Sequence, residues 1–425
     1  MVAAVRANWA LLVGVLMLML GHGLQGTLLG VRAAIEHFPT TLTGFVMSAY
    51  YLGFLGGSAI VPNLIARVGH VRVFAALGSV SSTTVLLHAV FVDPATWFAI
   101  RFLTGVALCG LFITAESWLN SKASNDKRGQ ILSAYMVIQL GGLAGGQLLL
   151  NLAPPSGYDL FITVSVLLSV AVVPMLLTAV PAPVITASRR VGLRSLYQAS
   201  PLGAMAIFSI GIAHGGLYGL GAVFAREAGL SVAAVSLFMA LTVLGGMIFQ
   251  WPIGWLSDRF DRRLVITVVT CLAGATALVA AVVVGSAPST LFALFFLLAG
   301  LSLPMYSLCV AHANDYLSAD DMVGASGTLL LANGSGAVLG PIGAAAAMDL
   351  FGAAGFPLFI GALHGIIGAF ALWRMTRRAA PPLEEQAPTV PLPMGGPVTT
   401  NLAQVTAVEQ SSEVSTAEQE LTEAA

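Results

Sequence analysis

Charge is what this chain has least of. Only 9% of its 425 residues are Asp, Glu, Lys or Arg, against about 25% in an ordinary soluble domain. A water-solvated surface cannot be built over most of such a chain. Eighteen basic and nineteen acidic residues leave a net charge of -1, and no basic patch is interleaved with aromatics. Nucleic acid is therefore not an expected partner. Cysteine is scarce as well. Cys109, Cys271 and Cys309 each sit in an apolar run without paired or metal-ligand spacing, so they read as small packing residues. No H-E-x-x-H, no Ser/His/Asp clustering and no phosphate-binding loop occurs. The chain is expected to be no enzyme, to hold no metal or cofactor, and to draw no energy from ATP.

What is present is apolar length. The chain is 57% hydrophobic, with a mean hydropathy of +0.90. A hydrocarbon core about 30 Å thick needs roughly 20 apolar residues per helix. That ruler predicts twelve helical spans, near 9–31, 42–66, 73–91, 95–119, 129–153, 157–180, 201–225, 232–256, 264–284, 288–313, 322–348 and 354–373. The runs are long and lack the two-residue alternation of a barrel. The first run resembles a signal peptide but continues to Val31 with no small-residue cleavage pattern, so it is read as a retained span.

All the Lys and Arg residues except Arg32, Arg101 and Arg226 fall at or between the ends of alternate spans, on one side. The positive-inside rule makes that side cytoplasmic, with both termini, in the cytoplasmic (inner) membrane. The loop after the tenth span departs from the rule, with Asp315, Asp320 and Asp321 and no basic residue. The predicted organisation is a six-helix bundle over 1–180, a linker over 181–200, a second six-helix bundle over 201–375 and a cytoplasmic tail over 376–425. The tail is rich in Pro, Thr and Ser and is expected to be disordered.

The halves echo each other at an offset of 192–194 residues. GHGLQGTLLGVR (21–32) matches AHGGLYGLGAVFAR (213–226), aligning His22 with His214 and Arg32 with Arg226. FAIRFL (98–103) matches FALFFL (292–297). Gln139, Gly142 and Gly146 match Asn333, Gly336 and Gly340. Duplicated six-helix halves are the architecture of rocking secondary transporters, with the site between the halves near the midplane.

GWLSDRFDRR (254–263) resembles the loop signature G-x-L-x-D-R-x-G-R-R of the major facilitator superfamily, and Arg101-Phe-Leu-Thr-Gly105 resembles its R-x-x-x-G signature. To about residue 375 the chain is most similar to the YcaD-like subgroup, notably at RFLTGVALCGLFITAESWL, RGQILSAYM, LYGL (217–220) and QWPIGWLSDRF. The resemblance implies an all-α membrane protein with two pseudo-symmetric six-helix bundles. It leaves the substrate open. Two departures stand out. Ala66 replaces the acid in the first-half loop copy, PNLIARVGHVR (62–72), and the antiporter signature G-x-x-x-G-P is missing from the fifth span, where Gln147 follows Gly146.

Few polar residues remain inside the spans. His22 and Gln25 share a face of the first helix, and His214 and Tyr218 a face of the seventh. Polar groups at mid-depth should face the bundle interior or a water-filled cavity. Two readings stand for them: a symmetric solute-binding pair whose histidines can take up protons, or hydrogen bonds that only hold packing. Gln139, Gln147, Asn333 and Tyr306 are weaker cavity candidates. Glu116 is read as a proton-coupling carboxyl or as an interfacial ion pair. Arg101 is read, by resemblance, as a residue for coupling or anion attraction, or as an arginine snorkelling to the outer interface. By resemblance Asp258 sits near the start of the fifth helix, where its carboxylate would face the helix N-terminus beside Arg128. With Arg259, Arg262 and Arg263 it would form a cytoplasmic gate; the alternative is a loop that only fixes orientation. The glycines of the fifth and eleventh spans are read as sliding contacts between halves or as static packing.

The expected function is secondary active transport of a small solute by alternating access, with proton coupling as one reading and efflux slightly ahead of uptake. The chain is expected to work as a monomer. The alternative is a membrane sensor or scaffold that kept the fold and lost transport.

Overall fold

The computed structural model describes residues 9–122, 128–177, 191–379, 381–383, 386–392, 400 and 404–408; the side chains of residues 120–122, 128 and 129 are outside the described set. The described residues form helices and no strand. In hydrocarbon every backbone N–H and C=O must find its partner within the chain, which long apolar runs achieve as helices.

The first half comprises α1 (Trp9–Ile35), α2 (Thr40–Val68), α3 (His70–Val90), α4 (Pro94–Lys122), α5 (Arg128–Leu148) and α6 (Asp159–Leu176). A short helix, α7 (Leu193–Ala199), leads into the second half. That half comprises α8 (Pro201–Glu227), α9 (Val232–Ser257), α10 (Arg262–Val282), α11 (Pro288–Ser302), α12 (Met305–Asn314), α13 (Ala319–Phe351) and α14 (Gly355–Met375). The tenth span is thus broken in two, α11 and α12, around Leu303 and Pro304. Eleven continuous stretches are long and apolar enough to cross a membrane. The last of them, Ala319–Met375, folds back through a short 3-10 turn at Gly352, whose φ is +61°. Twelve crossings result.

Local sequence places the helix starts. Ser200 caps α8 through Gly203 N, with Pro201 in the first turn. Ser231 and Ser318 accept from Ala234 N and Asp321 N at the starts of α9 and α13. Each cap satisfies a donor that the helix itself leaves free.

The repeat in the sequence is a repeat in packing. Helices α1–α5, α2–α4 and α3–α6 pair in the first half; α8–α13, α9–α11 and α10–α14 pair in the second. The closest approaches recur at the sequence offset. A Cβ on Gly23 would lie 2.4 Å from Leu143 O, and one on Gly215 would lie 2.3 Å from Ala337 O. Gly146 meets Leu20 O and Gly340 meets Ile212 O, both at 2.3 Å by the same measure. Only glycine lets these backbones come so near. The shared offset puts these glycines inside each half, between α1 and α5 or between α8 and α13. They seal the halves rather than provide a sliding contact between them.

The halves meet chiefly through α2 with α13 and α5 with α9. At the end away from the basic loops, hydrogen bonds join them. Thr40 donates to Glu227 Oε1 at 2.9 Å, Thr41 to Asp349, Asn151 Nδ2 to Ser236 Oγ at 2.8 Å, and Ser236 Oγ to Gln147 O at 2.8 Å. Arg32 and Arg226, the aligned pair, lie at this end too and stay within their own halves. Arg32 pairs with Glu36 at 2.7 Å and donates to Pro155 O; Arg226 donates to Leu230 O at 2.7 Å.

Candidate solute cavity

Between the halves lies a cavity with about 140 Å³ open to the centres of water-sized spheres. One ordered water needs roughly 10–15 Å³ by that measure. The space therefore suits a small organic solute or about ten waters. Its wall takes His22, Thr27 and Gly23 from α1, Tyr50, Tyr51, Phe54 and Ser58 from α2, and Arg101, Phe112 and Glu116 from α4. Gln139, Leu143 and Gln147 come from α5, His214 and Tyr218 from α8, Tyr306 from α12 and Asn333 from α13.

Nine residues singled out from the sequence therefore share one wall: His22, Arg101, Glu116, Gln139, Gln147, His214, Tyr218, Tyr306 and Asn333. Gln25 does not join them. It is 1% exposed, and its amide atoms have no hydrogen-bond partner. Three helical residues advance about 300°, so Gln25 is turned about 60° from His22. That turn takes it off the wall.

Arg101 is the most unusual group in the site. It is 4% exposed, and no hydrogen bond or ion pair engages it among the described residues. Its Nε and Nη1 are buried without acceptors. The Tyr50 ring lies 4.6 Å from the guanidinium carbon. A buried charge is normally paired, since desolvation alone costs several kcal/mol. A cation–π contact returns only about 0.5–2 kcal/mol. The pair is held by close backbone contact: a Cβ on Gly105 would lie 2.1 Å from Tyr50 O. At the matching position of the second half stands Phe295, stacked with Phe224 at 5.1 Å. The repeat thus carries charge on one side and aromatic packing on the other.

Glu116 is 1% exposed and accepts from Tyr135 Oη at 3.0 Å. Gln139 Nε2 donates to the same Tyr135 oxygen at 2.8 Å. A carboxyl, a phenol and an amide thus form one chain at the wall. Glu116 and Arg101 share the cavity without bonding each other.

The two aligned histidines differ in setting. His22 packs on Tyr50, with ring centres 5.3 Å apart, and its buried Nδ1 has no partner. His214 Nε2 donates to Ser302 O at 3.0 Å, which leaves its Nδ1 as an acceptor. Ser302 ends α11 at the break in the tenth span. Its Oγ meets His364 Nε2 at 2.9 Å, and His364 Nδ1 meets Thr270 Oγ1 at 2.9 Å. Tyr218 Oη is buried without a partner, and Asn333 Nδ2 donates to Ile207 O at 3.3 Å.

The aromatic wall of Tyr50, Tyr51, Phe54 and Phe112 does not stand out in the sequence. The available signal is the Tyr50-Tyr51 pair at mid-span, facing a helix that carries an arginine. Among the described residues no three His, Cys, Asp or Glu side chains gather as a metal site.

The residues read as a gate lie at the basic end. Asp258 Oδ1 is 3.4 Å from Arg262 Nη2 and accepts from Thr389 N at 2.9 Å. Arg262 is 1% exposed and is paired with the equally buried Asp315. Arg259 lies over the Trp255 ring at 4.1 Å. Arg263 pairs with Asp261 at 2.8 Å. Burial raises the Asp261 pKa, but hydrogen bonds and charge from Arg263 prevail and hold it below its ordinary value. The fifth helix begins at Arg128, whose side chain lies outside the described residues. Among those that are described, Asp258 meets α10 and the tail.

Twelve crossings in two pseudo-symmetric halves around a central cavity define a membrane transporter fold. The family model of the Major Facilitator Superfamily matches residues 203–407. It is 29% identical over 340 residues to a protein of Escherichia fergusonii named an uncharacterized MFS-type transporter, YcaD, covering 79% of this chain and 87% of that relative. It is 27% identical to the YcaD of Salmonella arizonae over 333 residues, covering 78% and 86%. Among solved structures, the nucleoside transporter NupG superposes with a TM-score of 0.70 at 15% identity, over 87% of this chain and 99% of that one. A bacterial homologue of the human lysosomal transporter Spinster, inward-facing and unoccupied, gives 0.64 at 15% identity, over 95% and 94%. The chain is a multi-pass membrane transporter and not an enzyme.

Proposed function

We propose that the chain is a secondary active transporter that moves a small, singly charged organic anion across the cytoplasmic membrane by alternating access. The observation that carries this reading is Arg101, a buried guanidinium at the cavity wall with no carboxylate partner among the described residues. An incoming carboxylate would supply the missing pair. The Tyr50, Tyr51, Phe54 and Phe112 rings would take the apolar body of the solute, and His214 and Asn333 would meet its polar edge from the other half. The halves are joined at the end away from the basic loops, so the cavity is placed to open toward the cytoplasm. Glu116, bonded to Tyr135, is the candidate proton carrier. We favour efflux, because an aromatic wall reached from inside suits an amphipathic solute leaving the cell.

Three solutes of one shape and different charge test the reading: benzoate, benzamide and benzylamine. Benzoate should raise the unfolding temperature of the purified protein, and Arg101→Gln should remove that rise. Labelled benzoate should then cross proteoliposome membranes faster with the protein than without it. Stabilisation by benzylamine alone would reverse the charge assignment. No flux of any of the three, with correct insertion, would count against transport of such solutes.

A further inference from the structure

The tail leaves the last span, turns back and enters the bundle. Ala387 N donates to Asp315 Oδ1 at 3.0 Å, and Arg262 Nη2 donates to Ala387 O at 2.6 Å. Thr389 N donates to Asp258 Oδ1 at 2.9 Å. Leu392 N donates to Ser307 Oγ at 2.9 Å, and Leu392 is 1% exposed. Deeper still, Thr400 Oγ1 lies 3.1 Å from the hydroxyl of Tyr306, a cavity-wall residue. Thr400 and Gln404 are fully buried.

Depth can be read from α12. From Asp315 to Ser307 is eight residues, about 12 Å at 1.5 Å each. From Ala387 to Leu392 is five residues, which span at most about 18 Å when extended. Five residues can therefore cover that depth, and the segment runs inward along the helix without regular secondary structure.

Its composition fits such a path. Pro388 and Pro391 have no N–H to leave unpaired. The N–H groups of Ala387, Thr389 and Leu392 all find acceptors on the bundle. Proline also lowers the entropy lost on docking. The sequence composition predicts disorder for this tail, yet its described residues 386–392 suit a narrow groove in a bundle already built.

The occupied groups matter. Asp258 is the carboxylate that the loop signature assigns to gate closure, and here it is bound by Thr389. Tyr306 belongs to the cavity wall, and here it is bound by Thr400. We propose that the described tail residues, 386–392 with Thr400 and 404–408, form an autoinhibitory strap, docked between α9, α10 and α12, which obstructs the cytoplasmic mouth and withholds Asp258 from the gate. The consequence for flux rests on the transporter reading; the docking does not.

The test needs no solute. A reporter cysteine, Ser58→Cys, is placed on the cavity wall, with Cys271→Ala removing the exposed native thiol; Cys109 and Cys309 are buried. A charged, membrane-impermeant maleimide is applied to the cytoplasmic face of inside-out vesicles. Labelling should be at least tenfold faster in Leu392→Asp, and in a chain cut after residue 379 once it is folded, than in the full chain. Thr389→Pro, which deletes the donor to Asp258, should act in the same direction. In a Ser307→Cys/Leu392→Cys variant, oxidation should form a disulfide and slow labelling below that of the full chain. Equal rates within twofold across the released and intact chains would overturn the proposal, as would failure of the cysteine pair to cross-link. A change in labelling without any benzoate response would leave the strap standing and remove the solute assignment.

Discussion

Replacing Arg101 by methionine should make the protein more stable and less useful. The guanidinium is 4% exposed and unpaired, so in the empty protein its desolvation is not repaid. Exchanging buried ionic groups for apolar residues of similar volume is often stabilising by about 1–4 kcal/mol. The lost contact with the Tyr50 ring subtracts about 0.5–2 kcal/mol. A net gain of about 1 kcal/mol, the difference between the midpoints of the two ranges, is expected in the absence of solute. Thermal unfolding in detergent reads this as a rise of a few degrees. Benzoate should have the opposite preference. A ligand at 100 times its dissociation constant stabilises by about 2.7 kcal/mol; native protein should gain that amount, and Arg101→Met should gain none. A variant less stable than native by more than 1 kcal/mol would refute the reasoning, because it would mean that the guanidinium already has a partner.

Other substitutions probe the frame around the cavity. Gly340→Ala should destabilise by about 1–3 kcal/mol, since its Cβ would lie 2.3 Å from Ile212 O and 2.4 Å from Gly216 N. Gly141→Ala, with nothing within 4 Å, should be neutral or slightly stabilising by the same melting assay. Asp315→Ala should cost about 3–5 kcal/mol by stranding the buried Arg262, whereas the double variant Arg262→Met/Asp315→Leu should recover most of it; a thermal double-mutant cycle measures the difference. Tyr135→Phe removes the bonds that Glu116 and Gln139 each make to the phenol, at about 1–3 kcal/mol per group, and benzoate flux under an imposed pH gradient in proteoliposomes should fall. The double variant His22→Ala/His214→Ala should lose benzoate binding in the thermal assay while inserting normally; unchanged binding would take both rings out of the site.

The span count and the repeat could be read from the sequence because both are periodic and long. A run of twenty apolar residues has few alternatives to a membrane helix, and an offset of 192–194 aligns Gly23 with Gly215 as it aligns His22 with His214. The polar wall was legible for a different reason. At mid-depth a His, Gln or Glu facing lipid is costly, so such residues turn inward wherever they fall. Gln25 shows the limit of that argument, because inward is not the same as facing the cavity. The aromatic wall was hidden, since Tyr50 and Phe112 look like any apolar filling until a neighbouring helix brings Arg101 over one of them. The tail was hidden too. Its composition lacks a core-forming face, and only the groove between α9, α10 and α12 gives its backbone donors somewhere to go.

The exchange of Arg101 for Phe295 at equivalent places in the two halves has a wider meaning. Phe295 sits in an aromatic block with Phe224, Phe238 and Phe356, ring centres 4.7–6.1 Å apart. Such a block resists deformation because its members interdigitate at crystal-like density. The second half thus has a stiff block at the place where the first half carries a charge at the cavity wall. Duplication supplied two copies of a scaffold, and the copies have diverged at this place, with a buried charge in one and aromatic packing in the other.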